Sequence, residues 1–159
     1  MMDKTTTLLD KIEFFSNFTE VEKKRILCAE HHFVRFHPGE YLIRENEIDN
    51  VLFIILKGTA HVVRESRPGH VLAILTPGMA VGEISFLTHR RRISNVIADD
   101  EMVCFSINGL TMDDLSLHLQ NKIKDQLIEI LVGRLDQTNQ TLLDTVSAIE
   151  GMVFTVASR

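Results

Sequence analysis

The spacing of apolar residues changes character twice along the chain. Over residues 4–32 it is helical: Leu8, Leu9, Ile12 and Phe15 precede a break at Ser16-Asn17-Phe18-Thr19, and Val21, Ile26 and Leu27 follow it. Thr19 with Glu22 three residues on has the form of a capping box, which predicts a second helix starting there. From Phe33 to Ile107 the pattern becomes short runs rich in β-branched and aromatic residues, which predict strands at 33–36, 41–44, 51–56, 59–64, 70–75, 95–98 and 102–107. Turn signals separate them at Pro38-Gly39, Asn46, Lys57-Gly58, Pro68-Gly69, Pro77-Gly78 and Asp99-Asp100. Such closely spaced turns, with no long helix between strands, predict a mainly β chain: an antiparallel β-roll (jelly roll) with flanking helices.

After Gly109 the helical period returns. Thr111 with Asp114 is expected to cap the start, and Asp113 and Asp114 suit its positive end. No proline follows, so a long helical region is expected over 111–149. Ile128, Leu131, Leu135, Thr138, Leu142, Thr145 and Ile149 recur at alternating steps of three and four, the seam of a coiled coil. A second face, Ile123, Leu127 and Ile130, is available to pack on the β-roll, and Gly133 costs the helix about 1 kcal/mol relative to alanine. The chain is therefore expected to be one domain over 1–149, with a short tail over 150–159 and a homodimer formed along the seam.

Composition narrows the class. The 159 residues are 45% hydrophobic and 25% charged, a globular balance, and no window of 18 apolar residues offers a transmembrane helix. Residues 1–10 are polar and Thr-rich, without the apolar centre of a signal peptide. The net charge of −5 argues against a nucleic-acid partner. Cys28 and Cys104 lie in apolar settings and are expected in the core; the histidines, including the adjacent His31-His32, lack metal-site spacing. No base stands beside a nucleophile at recognisable spacing, so no enzyme is expected. A cytoplasmic protein with no metal, no membrane and no nucleic-acid partner remains.

The chemistry concentrates in two adjoining segments, Gly82-Glu83-Ile84-Ser85-Phe86-Leu87 and Arg92-Ile93-Ser94-Asn95-Val96. Gly82 permits a positive φ or a close backbone approach. Glu83 opens a short helical turn whose free N–H groups favour an anion. A carboxylate that accepts from hydroxyls and a guanidinium that clamps phosphate suit a ligand carrying both groups. Taken alone, Glu83 and Arg92 also fit an internal ion pair; Arg90 and Arg91 fit solvated loop charges, and Thr138 a tolerated seam threonine.

In their order and spacing these segments resemble the phosphate-binding cassette of the cyclic nucleotide-binding domains. Pro38-Gly39-Glu40, the Phe53-Ile54-Ile55-Leu56-Lys57-Gly58 run and Pro77-Gly78 extend the likeness over about residues 8–148. The resemblance implies that Glu83 receives a ribose 2′-hydroxyl, with Gly82 against the ribose. It implies that Arg92 pairs with the cyclic phosphate, helped by the backbone of Ile93 and Ser94, while Ile84 and Ser85 complete the first segment. The long helix is similar to that of the family branch typified by the bacterial catabolite activator protein, whose base-contacting pair falls at Thr138-Asn139 here. That branch continues into a DNA-reading helix-turn-helix, for which 150–159 is too short.

Three departures stand out: Arg91 replaces a frequent proline, Asn46 a turn glycine, and Ile93 a small residue. Isoleucine has no hydroxyl for a guanine amino group, so cAMP is expected over cGMP. The implied function is a cyclic nucleotide sensor signalling to an unknown downstream protein. A β-roll kept only for dimerisation and a metal-dependent β-roll enzyme of the cupin kind are the competing expectations, the latter disfavoured by the histidine placement.

Overall fold

The computed structural model describes residues 9–28 and 33–157; Leu8 and the His31-His32 pair lie outside them. A 3-10 turn over Glu13–Phe15 leads into helix α1, Glu20–Cys28. The capping box forms as expected: the Thr19 N–H donates to Glu22 Oε2 at 2.7 Å and the Glu22 N–H to Thr19 Oγ1 at 3.3 Å. The buried face of α1 does not follow the apolar pattern. Lys23 and Ile26 are inside while Val21 is 69% exposed. The Lys23 ammonium is met by the carboxylates of Asp10 and Glu20. Its bond to Asp10 raises its pKa against the opposing effect of burial. Cys28 is exposed rather than in the core, about 200° round the helix from the buried Ile26.

Eight strands follow: β1 Phe33–Phe36, β2 Tyr41–Ile43, β3 Leu52–Lys57, β4 Ala60–Val63, β5 Ala73–Leu75, β6 Ala80–Val81, β7 Asn95–Ala98 and β8 Met102–Ile107. They form two four-stranded sheets, ordered β1-β8-β3-β6 and β2-β7-β4-β5, with every pair antiparallel. β1, β7 and β8 have their expected bounds; β2, β4 and β5 are shorter, β3 is shifted by one residue, and β6 was not expected. Leu42, Phe53, Ile55, Val96, Met102 and Cys104 belong to the core cluster, to which both sheets contribute. Leu52, Ile54, Phe105 and Ile107, the alternate residues of β3 and β8, are also fully buried. Phe105 meets the ring of Phe15 at 5.9 Å and that of Phe33 at 5.5 Å between centroids. Burial on both faces explains why 52–56 reads as an unbroken apolar run rather than an alternation.

Helix α2, Glu83–Thr88, lies between β6 and β7, and α3, Gly109–Asp114, follows β8. The cap of α3 is Asn108, not Thr111: Asn108 Oδ1 accepts from the Thr111 N–H at 2.9 Å and from its hydroxyl at 3.0 Å. Leu115 then adopts an extended backbone, so the expected single helix is broken before α4, Leu117–Ala157. α4 continues past the expected end near Ile149.

The chain divides into two compact units, one up to Gln120 and one from Asn121 onward. In the second, Ile123 and Leu127 are buried, and Ile128, Leu135, Leu142 and Ile149 are each more than half exposed. Among the described residues no helix is long and apolar enough to cross a membrane.

Candidate functional site

The site is built around one glycine and one arginine. Gly82 ends β6 and caps α2 with φ +91°, a conformation that side chains on L-residues rarely adopt. Space reinforces the demand. A Cβ at Gly82 would stand 2.5 Å from Arg92 Nη1 and 2.7 Å from the Val51 carbonyl oxygen. The residue is glycine because a buried guanidinium lies against its backbone.

Arg92 is 3% exposed. Its Nη1 donates to the Gly82 carbonyl at 3.1 Å; its Nη2 donates to the Val51 carbonyl at 2.6 Å and to Asp49 Oδ2 at 3.1 Å. The guanidinium thus ties the cap of α2 to the segment that leads into β3. Asp49 is a carboxylate partner at ion-pair distance, and its other oxygen accepts from the Val51 N–H at 3.1 Å. Arg92 Nε is buried with no hydrogen-bond partner. A guanidinium carries five N–H donors, and burying one unmet is costly, so the group fits one further acceptor.

The backbone of Arg92 is held as firmly as its side chain. Its N–H donates to the Glu47 carbonyl, and its carbonyl accepts from the Asn46 N–H, each at 2.9 Å. Asn46 takes φ +68°, a turn conformation that asparagine tolerates in place of glycine. Arg91 is more than a solvated loop charge, since its Nη1 donates to the Asn46 carbonyl at 2.9 Å. Asn95 adds a further tie through its Oδ1, which accepts from the Glu45 N–H at 2.8 Å. The loop over 45–49 and the chain over 91–95 therefore form one hydrogen-bonded unit.

Glu83 and Ser85 are buried in α2, and Ile84 is half-buried. Ser94 is half-buried and Ile93 is 46% exposed, beside Arg92. Gly82, Glu83, Ile84, Ser85, Arg92, Ile93 and Ser94 all belong to the first compact unit, with Gly82 and Arg92 in direct contact. Thr138 and Asn139 belong to the second and are exposed on α4. The Thr138 hydroxyl donates to the Arg134 carbonyl at 2.8 Å. Thr141, Thr145 and Thr155 make the same kind of bond one turn back, so this bond does not set Thr138 apart.

Asp49, which anchors the Arg92 side chain, is not among the residues that the sequence motifs single out. A usable signal was present: Glu45, Glu47 and Asp49 place carboxylates at alternate positions just before the apolar run of β3, where a buried arginine finds a counter-charge.

Comparison with known proteins bears on the same segments. The pattern of the cyclic nucleotide-binding domain matches residues 33–117. The chain is 29% identical over 127 residues to a cGMP-dependent protein kinase of Toxoplasma gondii, covering 77% of the chain and 12% of the kinase. Among solved structures, a regulatory subunit of a cAMP-independent protein kinase A from Trypanosoma brucei superposes with a TM-score of 0.67 at 25% identity. That match covers 85% of this chain and 45% of the other. A cyclic nucleotide-binding domain from Methylobacillus flagellatus shares the fold with a TM-score of 0.75 at 22% identity, over 90% and 85% of the two chains. The matched span takes in the β-roll, the glycine-capped helix and the buried arginine, and the chain belongs to the cyclic nucleotide-binding domain family.

Proposed function

We propose that this chain is a cyclic nucleotide sensor, leaning to cAMP, that passes ligand binding to a downstream protein as a change of shape. The observation that carries the reading is Arg92: a buried guanidinium whose Nη groups meet protein acceptors while Nε meets none. A phosphate oxygen is the acceptor that matches it in charge and strength. Gly82 lines the approach, Glu83 takes the ribose hydroxyl, and the backbone of Ile84, Ser85, Ile93 and Ser94 completes the cassette. Ile93 offers no hydroxyl to a guanine amino group, which supports cAMP over cGMP. Thr138 and Asn139 enter as base contacts on the family resemblance alone. The chain acts in the cytoplasm as a parallel homodimer through Ile128, Leu131, Leu135 and Leu142.

Thermal unfolding with millimolar cAMP, and separately cGMP, tests the reading. At 100 times the dissociation constant, cAMP is expected to stabilise the fold by about 2.7 kcal/mol. Absence of a shift with either nucleotide would overturn it in favour of a β-roll kept for self-association.

A further inference from the structure

Four strands bound the two sheets: β1 and β6 in one, β2 and β5 in the other. An edge strand presents a row of unpaired N–H and C=O groups, which proteins guard with charge, proline or very short strands. Three of the four edges are guarded. β1 holds the exposed Arg35, β6 is two buried residues, and beside β2 the Arg44 guanidinium stands 3.9 Å over the Tyr41 ring. β5 has no such guard. β4 covers one of its sides, and among the described residues no strand covers the other. The Leu72 N–H donates to the Val62 carbonyl at 2.8 Å, so the paired run reaches back beyond Ala73 to residue 72. From Val71 to Leu75 the chain holds no charge, proline or glycine. Leu75 belongs to the core cluster, so alternation turns Leu72 and Ile74 to the outer face, where they are 47% and 54% exposed.

The open backbone edge fixes the shape of an occupant, and the charge beside it fixes the rest. The arm from β4 to β5 carries Arg64, Arg67 and His70, all exposed and none in an ion pair among the described residues. Glu65 is the arm's one acid, so on a chain of net charge −5 this corner is locally cationic. A strand added beside β5 meets the free backbone groups with its own, Leu72 and Ile74 with apolar side chains, and the arm with carboxylates. The arm is also bonded toward the cassette. The Glu65 N–H donates to Glu45 Oε2 and the Glu45 N–H to Asn95 Oδ1, each at 2.8 Å.

We infer that the free edge of β5 docks an extended, acidic and apolar segment of the downstream protein, which joins the sheet as a fifth strand. That the occupant is the downstream protein rests on the sensor reading above; the edge and its charge do not. Fluorescence anisotropy with the full chain tests it, using a short labelled peptide of alternating valine and threonine flanked by glutamates. This peptide is expected to bind about tenfold more tightly than its lysine-flanked counterpart. Methylating its alternate backbone nitrogens, which removes the strand's donors, is expected to weaken it by about tenfold. Arg64→Glu combined with Arg67→Glu should reverse the preference between the two peptides. Ile74→Asp, which places a guarding charge on the edge, should abolish binding while leaving the circular dichroism of the fold unchanged. Failure of either peptide to bind, equal binding of both, or indifference to methylation would overturn the inference. So would a fall in the sedimentation mass of the chain alone on Ile74→Asp, which would assign the edge to a second copy. A thermal shift with cAMP but no peptide binding overturns this inference and spares the sensor reading. Peptide binding with no thermal shift overturns the sensor reading and leaves the docking edge standing.

Discussion

The cassette and the distal half of α4 manage polar side chains in opposite ways. Around Arg92 every bond reaches across sequence: Asp49 lies 43 positions away and Val51 lies 41. Along α4 the threonine hydroxyls reach only four positions back to their own helix. A substitution in the first region therefore disturbs several elements together. One in the second disturbs the surface of a single helix and whatever that surface meets. Specificity for a small ligand calls for the first arrangement; the second leaves a helix free to change partners without unfolding.

Arg92→Ala is expected to give the largest effect and the sharpest contrast. It removes charged donors from the Gly82 and Val51 carbonyls and deprives Asp49 of its counter-charge, although Asp49 is partly hydrated, keeps its bond from the Val51 N–H and recovers some of that loss. A stability loss of about 2–3 kcal/mol should appear in urea denaturation. cAMP affinity should fall about 100-fold in calorimetry, the equivalent of roughly 2.8 kcal/mol. Equal losses from Arg90→Ala would remove Arg92 from its role.

Thr138→Ala comes next. The hydroxyl bonds its own helix and alanine is the better helix former, so stability should change by less than about 0.5 kcal/mol. If the base meets this residue, cAMP affinity should still fall several-fold. Unchanged affinity would confine the ligand site to the first unit.

The smallest effect belongs to an exposed pair at the edge of the β-roll. The His37 ring nitrogen lies 2.8 Å from Glu101, a bond that raises the His37 pKa above 6.5, with the Glu101 charge as a further cause. The raised value means this contribution is fully present below pH 6.5 and is lost as pH rises through the folded-state pKa. Urea midpoints measured from pH 6 to pH 8 should show a slight fall that His37→Gln removes. A slope that persists in the variant would assign it to another group.

How far the sequence reached depended on the range of the physics involved. β1, β7 and β8 were legible to the residue because turn signals bound them and their side chains suit strands. β6 was not, since two residues carry no period. On α1 the exposed Val21 and the buried Lys23 reversed the apolar pattern, because Asp10, thirteen positions away, supplies the charge that lets the lysine in. The α3 cap was sought at Thr111 when Asn108 provides it, an ambiguity natural where several cap-forming residues lie within four positions. The cassette was recognisable as an ordered motif. Its anchor to Asp49 was not, because that pairing exists only once the strands have met.

Cys104 adds a clock to this architecture. Its thiol lies fully buried in the core, and desolvation pushes its pKa up to about 12, so almost no thiolate forms at neutral pH. Cys28, the chain's other cysteine, is exposed. An alkylating reagent should therefore tag Cys28 at once and Cys104 only when β8 opens. The arrival of the second mass increment then times core opening in the intact chain. A nucleotide that binds only the closed form should slow that second tag in proportion to its occupancy and leave the first unchanged.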